Sequence, residues 1–244
     1  MLRAPLPGLA AGERRLDGPL AHYLGRVLRL RAGDAFVAFD PATGAETDGT
    51  VVRGDGATLT VLLGALREGG VRARRSVTWI QGLPKGEKAD AVVRDATELG
   101  ATRIAIAPAH RSVVRLEGAR AVERTARWTR IAQEAARQCG RSDSPGVALP
   151  ASWIEALGLA GDDAARFCLW EAATDPLGPN LLDALSRKVP IVFACGPEGG
   201  LEKSEVEAAR AAGWSIVSLG PFALRTETVA AATLGAVRVL EGFV

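Results

Sequence analysis

Two short segments in the last third of the chain carry residue types that chemistry uses. The first is Gly196-Pro197-Glu198-Gly199-Gly200, directly after the apolar run Ile191–Cys195. Three glycines in five residues free the backbone to approach a ligand or another segment closely. Pro197 stiffens the turn, and Glu198 stands where a carboxylate either faces a ligand or caps a helix. The second segment, residues 219–228, reads LGPFALRTET and ends at a helical pattern. Thr226 suits the N-cap of that helix. Arg225 sits at its N-terminus, where the helix dipole disfavours a cation. It either serves a reaction there or forms a structural ion pair with Glu227 or Glu198.

Other chemistries find no footing. The chain has no G-x-G-x-x-G after a strand, no G-x-x-x-x-G-K-[ST], no H-E-x-x-H and no G-x-S-x-G. The spacing in residues 196–203 (GPEGGLEK) cannot form the phosphate loop of the nucleotide-binding signature. Two histidines, His22 and His110, lie in different parts of the chain, so neither a metal site nor a histidine-based triad is expected. Cys139, Cys168 and Cys195 are widely spaced without a Cys-x-x-Cys, which points to reduced thiols and a cytoplasmic protein.

Both segments follow strands, and the surrounding pattern says which strands. From about Ser76, short apolar runs at 77–81, 103–107, 167–170, 191–195 and 215–219 alternate with helical periodicities at 85–99, 120–139, 203–212 and 226–240. Alternation of this kind predicts a largely parallel sheet covered on both faces. Such sheets bind ligands at the C-terminal ends of their strands. On the helix at 120–139, Ala121, Thr125, Trp128, Ala132, Ala135 and Cys139 form the expected inward stripe. The last helix is apolar round most of its circumference, so it must be buried, and a partner subunit is one way. Before Ser76, alternating runs at 34–40, 49–53 and 57–63, punctuated by turn residues, predict a small β-barrel, with a helix at 19–30 ahead of them. The boundary falls near Glu68–Arg75, giving domains at 1–72 and 73–244.

At 244 residues, 48% hydrophobic and 24% charged, the chain has the composition of a globular protein, not of a disordered one. No apolar run is long enough to cross a bilayer. The net charge of +2 conceals an asymmetry: residues 1–75 carry +3, residues 76–141 carry +5 and residues 142–244 carry −6. A basic front part suits a polyanion partner. Arginines outnumber lysines 26 to 4, which suits forked contacts to phosphate and equally reflects a codon bias toward Arg. His22, beside Tyr23 and ahead of Arg26 and Arg29, is a candidate RNA contact or a structural histidine. Lys85, Lys88, Arg111, Arg137 and Arg141 are candidate phosphate contacts or solvated surface charges.

The motifs HYLGRVLRLRAGD, LPKGEKADAVVRDATELGA, HRSVVR, RWTRIAQEAARQCGR, CGPEGGLEKSE and LG-x-x-x-LRTET occur in this order. Together they resemble the RsmE family of the SPOUT superfamily of RNA methyltransferases, from about His22 to Val244. The resemblance implies an α/β domain with a C-terminal trefoil knot, preceded by a PUA-like β-barrel, and a homodimer formed through the knot domain and the C-terminal helix. It implies S-adenosylmethionine held by Leu169, Trp170, Gly196, Pro197, Glu198, Gly199, Gly200, Leu219, Gly220, Leu224, Arg225 and Thr226. The implied reaction is methylation of N3 of a uridine in 16S rRNA, on the 30S ribosomal subunit, with no metal and no membrane. Arg225 would then stabilise charge on the uracil, while Glu198 or Glu227 accepts the proton or orients Arg225. The alternatives are methylation of another RNA, a non-catalytic RNA-binding assembly protein, and a small-molecule enzyme, against which the missing phosphate motifs count.

Overall fold

The computed structural model describes residues 2–54 and 58–242. Residues 55–57, which include part of the expected turn and strand start, lie outside the described residues, as do Met1, Phe243 and Val244. The chain divides into two compact units, residues 1–72 with 136–144, and residues 73–135 with 145–244. Placing 136–144 with the first unit is something a two-segment division does not anticipate.

In the first unit, β1 (Arg3–Pro5), β2 (Gly12–Leu16), β3 (Ala35–Phe39), β4 (Ala45–Gly54), β5 (Leu59–Leu63) and β6 (Arg67–Glu68) form one sheet in the order β1-β3-β4-β5-β2, with β6 on β4. Only the β1–β3 pairing is parallel. Inward residues alternate along the strands and meet in one core that includes Leu6, Leu16, Leu24, Phe36, Val51 and Val61. The helix expected over 19–30 is shorter and changes character. α1 (Gly18–His22) runs into a π-helical turn, Tyr23–Val27, closed by the Leu28 N–H on the Tyr23 carbonyl at 2.9 Å. Gly25 sits in that turn, and a Cβ there would lie 3.2 Å from Leu59. Segment 136–144 is tied in by charge. Glu46 is buried and accepts from Arg3 and from the Ser142 hydroxyl, while Arg3 also reaches Ser142 Oγ at 3.1 Å. Burial opposes ionisation of Glu46, but its hydrogen bonds from Ser142 and Arg3 outweigh it and hold the carboxyl below its ordinary range.

The second unit contains β7 (Val77–Gly82), β8 (Arg103–Ala107), β9 (Gly146–Ala148), β10 (Ala165–Leu169), β11 (Ile191–Cys195) and β12 (Ser215–Val217). They form one wholly parallel sheet in the order β12-β10-β11-β7-β8-β9. Its helices are α2 (Lys88–Glu98), α3 (Gly118–Gln138, whose last three residues count with the first unit), α4 (Trp153–Leu157), α5 (Leu177–Ser186), α6 (Lys203–Ala211) and α7 (Thr226–Leu240). Strand residues alternate between two cores. Trp79, Phe167, Ile191 and Phe193 meet α2, α3, α5 and α7, while Ile80, Cys168, Val192 and Ala194 meet α4 and α6. Both faces of a parallel sheet are thus covered, as its crossover connections require. Cys139 leaves the expected stripe: α3 ends at Gln138, and the cysteine is exposed.

One path positions the site. The chain leaves the edge strand β12 and returns past the C-terminal ends of β10 and β11 to begin α7, whose first residue is hydrogen-bonded to β7 and to the residue after β11. That return brings residues 219–225 alongside residues 196–200.

Candidate active site

The strand ends, the 196–200 loop and the 219–225 loop enclose a cavity of about 680 Å³, within the range of small-molecule sites. Its inner side rests on a buried polar network. Gln81, at the end of β7, donates from Nε2 to the Gly196 carbonyl at 2.9 Å and to Thr226 Oγ1 at 2.7 Å. Thr226 Oγ1 donates to the same carbonyl at 2.8 Å, and Gln81 Oε1 accepts from the Trp79 indole at 3.2 Å. Gln81 and Thr226 therefore satisfy each other while joining the start of the 196–200 loop to the end of the 219–225 loop, an arrangement that loses strength if any member is removed. Thr226 is the first helical residue; the N-cap position belongs to Arg225, whose side chain makes no capping bond. The expected Thr226 cap gives way because its hydroxyl has a buried carbonyl to bind.

The 196–200 loop is held from all sides. A Cβ on Gly82 would come 2.5 Å from Pro197 Cδ, and one on Gly196 would come 2.9 Å from the Gly200 carbonyl carbon. Gly200 has φ +72°, a region that favours glycine, and closes the turn by donating to the Pro197 carbonyl at 2.9 Å. Arg111 donates to the Gly199 carbonyl at 2.9 Å. Glu198 accepts from the Lys85 backbone N–H at 3.2 Å and pairs with Lys88 at 3.4 Å. Burial opposes its ionisation, but the backbone N–H groups of Glu198 itself and Lys85, with Lys88 nearby, bring the carboxyl below its ordinary range.

The 219–225 loop is built differently. Ser218 exchanges hydrogen bonds with Gly220 at 3.1 Å, and Gly220 adopts φ +127°. Beyond that, residues 219–225 are all exposed, and residues 221–224 make no hydrogen bond among the described residues. Arg225 forms no ion pair among them either, so the expected pairing with Glu227 or Glu198 is not made. Glu227 turns away from the cavity into a recess lined by Glu87, Lys88, Asp90, Ala91 and Arg94, where its Oε2 is buried without a hydrogen-bond partner among the described residues.

The cavity wall contains each of Leu169, Trp170, Gly196, Pro197, Glu198, Gly199, Gly200, Leu219, Gly220, Leu224, Arg225 and Thr226. It also contains Glu171, Ser218, Phe222 and Val229, which the motif reading passed over. Glu171 and Ser218 stand just past the ends of β10 and β12, and that position alone would have drawn attention to them. The basic candidates separate. His22, Arg26, Arg29 and Lys85 are exposed. Lys88 lines the cavity, and Arg111 braces its loop. Arg137 lies over the Tyr23 ring at 4.3 Å, and burial lowers its pKa. Arg141 is only 3% exposed, with two nitrogens on the Asp143 carboxylate at 3.0 and 2.8 Å. A guanidinium buried and paired in this way serves the fold.

Among the described residues no group of three or more His, Cys, Asp or Glu side chains could hold a metal ion, and no helix is long and apolar enough to cross a membrane. Comparison with known proteins brings a family into view. Residues 72–238 match the RNA methyltransferase domain family and residues 16–46 match the RNA methyltransferase PUA domain. The ribosomal RNA small subunit methyltransferase E of Mycobacterium tuberculosis is 32% identical over 241 residues, covering 92% of this chain and 86% of that protein. The Synechocystis protein of the same name is 31% identical, with 90% and 70% covered. A Neisseria gonorrhoeae ribosomal RNA small subunit methyltransferase E, crystallised with S-adenosyl methionine, superposes with a TM-score of 0.87 at 28% identity, covering 98% of each chain.

Proposed function

The chain belongs to the ribosomal RNA small subunit methyltransferase E family, a SPOUT-type α/β fold preceded by a PUA domain, and we propose that it methylates N3 of one uridine of 16S rRNA with S-adenosylmethionine. The observation that carries this reading is the cavity at the ends of β10 and β11, walled by one rigid glycine loop and one exposed loop bearing an arginine that makes no ion pair among the described residues. Its size suits a nucleoside-sized group, and Gly196, Gly199 and Gly200 line it. The backbone of these residues and of Leu219, Gly220 and Leu224 would hold the cofactor, with Leu169 and Trp170 on the strand side. When bound, the cofactor supplies an electrophilic methyl group.

The residues of this chain do the rest. A uridine N3–H must lose its proton as the nitrogen attacks, so negative charge gathers on the uracil oxygens. Among the described residues Arg225 has no carboxylate partner, and its fork matches a carbonyl oxygen. Orientation of the base within the cavity converts the encounter into an effectively unimolecular step. Glu198, with its oxygens engaged by Lys85 and Lys88, positions the first loop. Glu227 keeps an unshared oxygen in a recess that shares Lys88 with the cavity, and it would take the proton once its side chain swings out of that recess toward the base. Exposed His22, Arg26, Arg29 and Lys85 would meet phosphates, which position RNA without reading its sequence. The substrate would be the assembled 30S subunit in the cytoplasm. A homodimer would form through the knot domain and α7, whose outer side leaves Ala232 and Val239 exposed.

The test is to incubate the protein and radiolabelled S-adenosylmethionine with unmodified small ribosomal subunits and, separately, with naked 16S rRNA, then to locate methyl groups by digestion and mass spectrometry. Methyl on N3 of a single uridine, made faster on subunits, is the expected result. Methyl on another atom or in naked RNA alone corrects the substrate, and no transfer with no cofactor binding overturns the reading.

A further inference from the structure

Phe222 stands at the tip of the exposed loop and is 82% solvent-exposed, the most exposed large apolar side chain among the described residues, yet it lines the cavity. Leaving a phenylalanine ring in water forfeits burial of a large apolar surface. The loop is shaped so that nothing in its own unit covers the ring: Ser218 pins Gly220, Gly220 adopts φ +127°, and Pro221 fixes the next turn of the backbone. Three residues further on is Arg225, at the same rim and without an ion-pair partner among the described residues. A flat apolar face beside an unpaired guanidinium is complementary to a nucleobase, which has an apolar π-face and polar carbonyl edges. A base buried in an RNA stack cannot reach a cavity of this kind. It must be extruded, and an extruded base needs a new stacking partner.

We propose that Phe222 is the stacking platform for the extruded target base, a positioning residue that holds the ring while Arg225 engages its oxygen. The proposal deepens the methyltransferase reading and rests on it. Stacking on an aromatic side chain is sequence-tolerant, so Phe222 would supply affinity and orientation, and the choice of base would fall to hydrogen bonds at the base's edge.

The full-length protein and its Phe222→Ala, Phe222→Leu and Phe222→Trp variants are compared on unmodified small ribosomal subunits, with S-adenosylmethionine affinity by calorimetry and oligomeric state by sedimentation alongside. The expected result is a fall in kcat/KM for the subunits of about 5- to 100-fold in Phe222→Ala. Phe222→Leu should stay low because it keeps apolar area without a flat face, and Phe222→Trp should recover. Cofactor affinity and sedimentation should not change. An unchanged kcat/KM in Phe222→Ala overturns the proposal. A parallel loss of cofactor affinity would instead make Phe222 a cover for the cofactor, and a change in sedimentation would make it a contact between two copies of this chain; either overturns it. A binding arm separates this failure from failure of the methyltransferase reading. Wild-type protein should bind a short labelled oligouridine more tightly than the same chain with abasic sites, and Phe222→Ala should lose that preference even if no methyl is transferred. Equal binding of the two oligonucleotides by wild-type protein overturns the stacking role.

Discussion

The two loops that wall the cavity face the same space and are held in opposite ways. Residues 196–200 are fixed by Gln81, Thr226, Arg111, Lys85 and Lys88; Gly196 packs against Gly200 and Leu201, and Gly199 and Gly200 abut the side chains of Arg111 and Glu171. Residues 219–225 are exposed and nearly free of hydrogen bonds, and they carry Phe222 and Arg225 into solvent. A tightly bound small cofactor rewards a wall whose shape is set before binding, because no ordering cost then falls on the complex. A macromolecular substrate that must enter, react and leave is better served by the wall with the lower local stability. The chain meets both demands by joining the loops only at their roots, through the Gln81–Gly196–Thr226 network.

The contrast breaks most sharply at Arg225. Arg225→Ala should lower the rate of methyl transfer by about 100-fold or more while leaving cofactor affinity within a few-fold, measured by single-turnover transfer and calorimetry; equal loss of both would show that the loops do not divide the work. Gly82→Ala tests the rigid wall. Its Cβ would meet Pro197 backbone and ring at 2.5–2.6 Å, so the loop must move. A destabilisation of about 1–3 kcal/mol is expected, visible as a lower Tm, with cofactor affinity falling as well. Thr226→Val tests the joint. It leaves the Gly196 carbonyl with one donor fewer and removes the nearest of three acceptors from Gln81 Nε2, which keeps the Gly82 and Gly196 carbonyls, for about 1–3 kcal/mol. Cofactor affinity should fall, and chemical denaturation should report the same loss. The smallest effect is on pH dependence. Glu198 has a lowered pKa in the folded loop, so its contribution is present above the unfolded value of about 4.3 and is lost as pH falls through the folded value. Stability of the wild type should fall in acid over that window, measured by chemical denaturation at each pH. Glu198→Gln should be less stable at neutral pH and flatter below it.

What could be read from the residues was set by how local the signal is. α7 begins and ends where its periodicity says, and both loops follow the strands that their apolar runs announce. Residues that act through distant partners gave no such notice. Nothing near Gln81 in the chain indicates that its amide will meet a carbonyl 115 positions away. Thr226 has the side chain of a cap, but the partner that claims its hydroxyl comes from another strand end. Arg141 is one more arginine in a basic stretch until burial beside Asp143 is known. α4 is five residues long, and α5 carries Gly178 and Pro179 in its first turn, so neither leaves enough uninterrupted period to be seen.

Segment 136–144 gives the order of synthesis a part in folding. The first unit lacks the Ser142 hydroxyl on Glu46 and the Arg137 stack on Tyr23 until those residues are made. At about 5–20 residues per second, a ribosome needs several seconds to travel from Arg72 to Ser144. During that interval the nascent sheet holds a buried carboxylate with one of its donors missing, while β9 to β12, four of the six strands of the parallel sheet, do not yet exist. A fragment cut at the apparent boundary after Arg72 would stay in that unfinished state permanently. Grafting residues 136–144 back through a short linker is the way to make the N-terminal unit a freestanding piece.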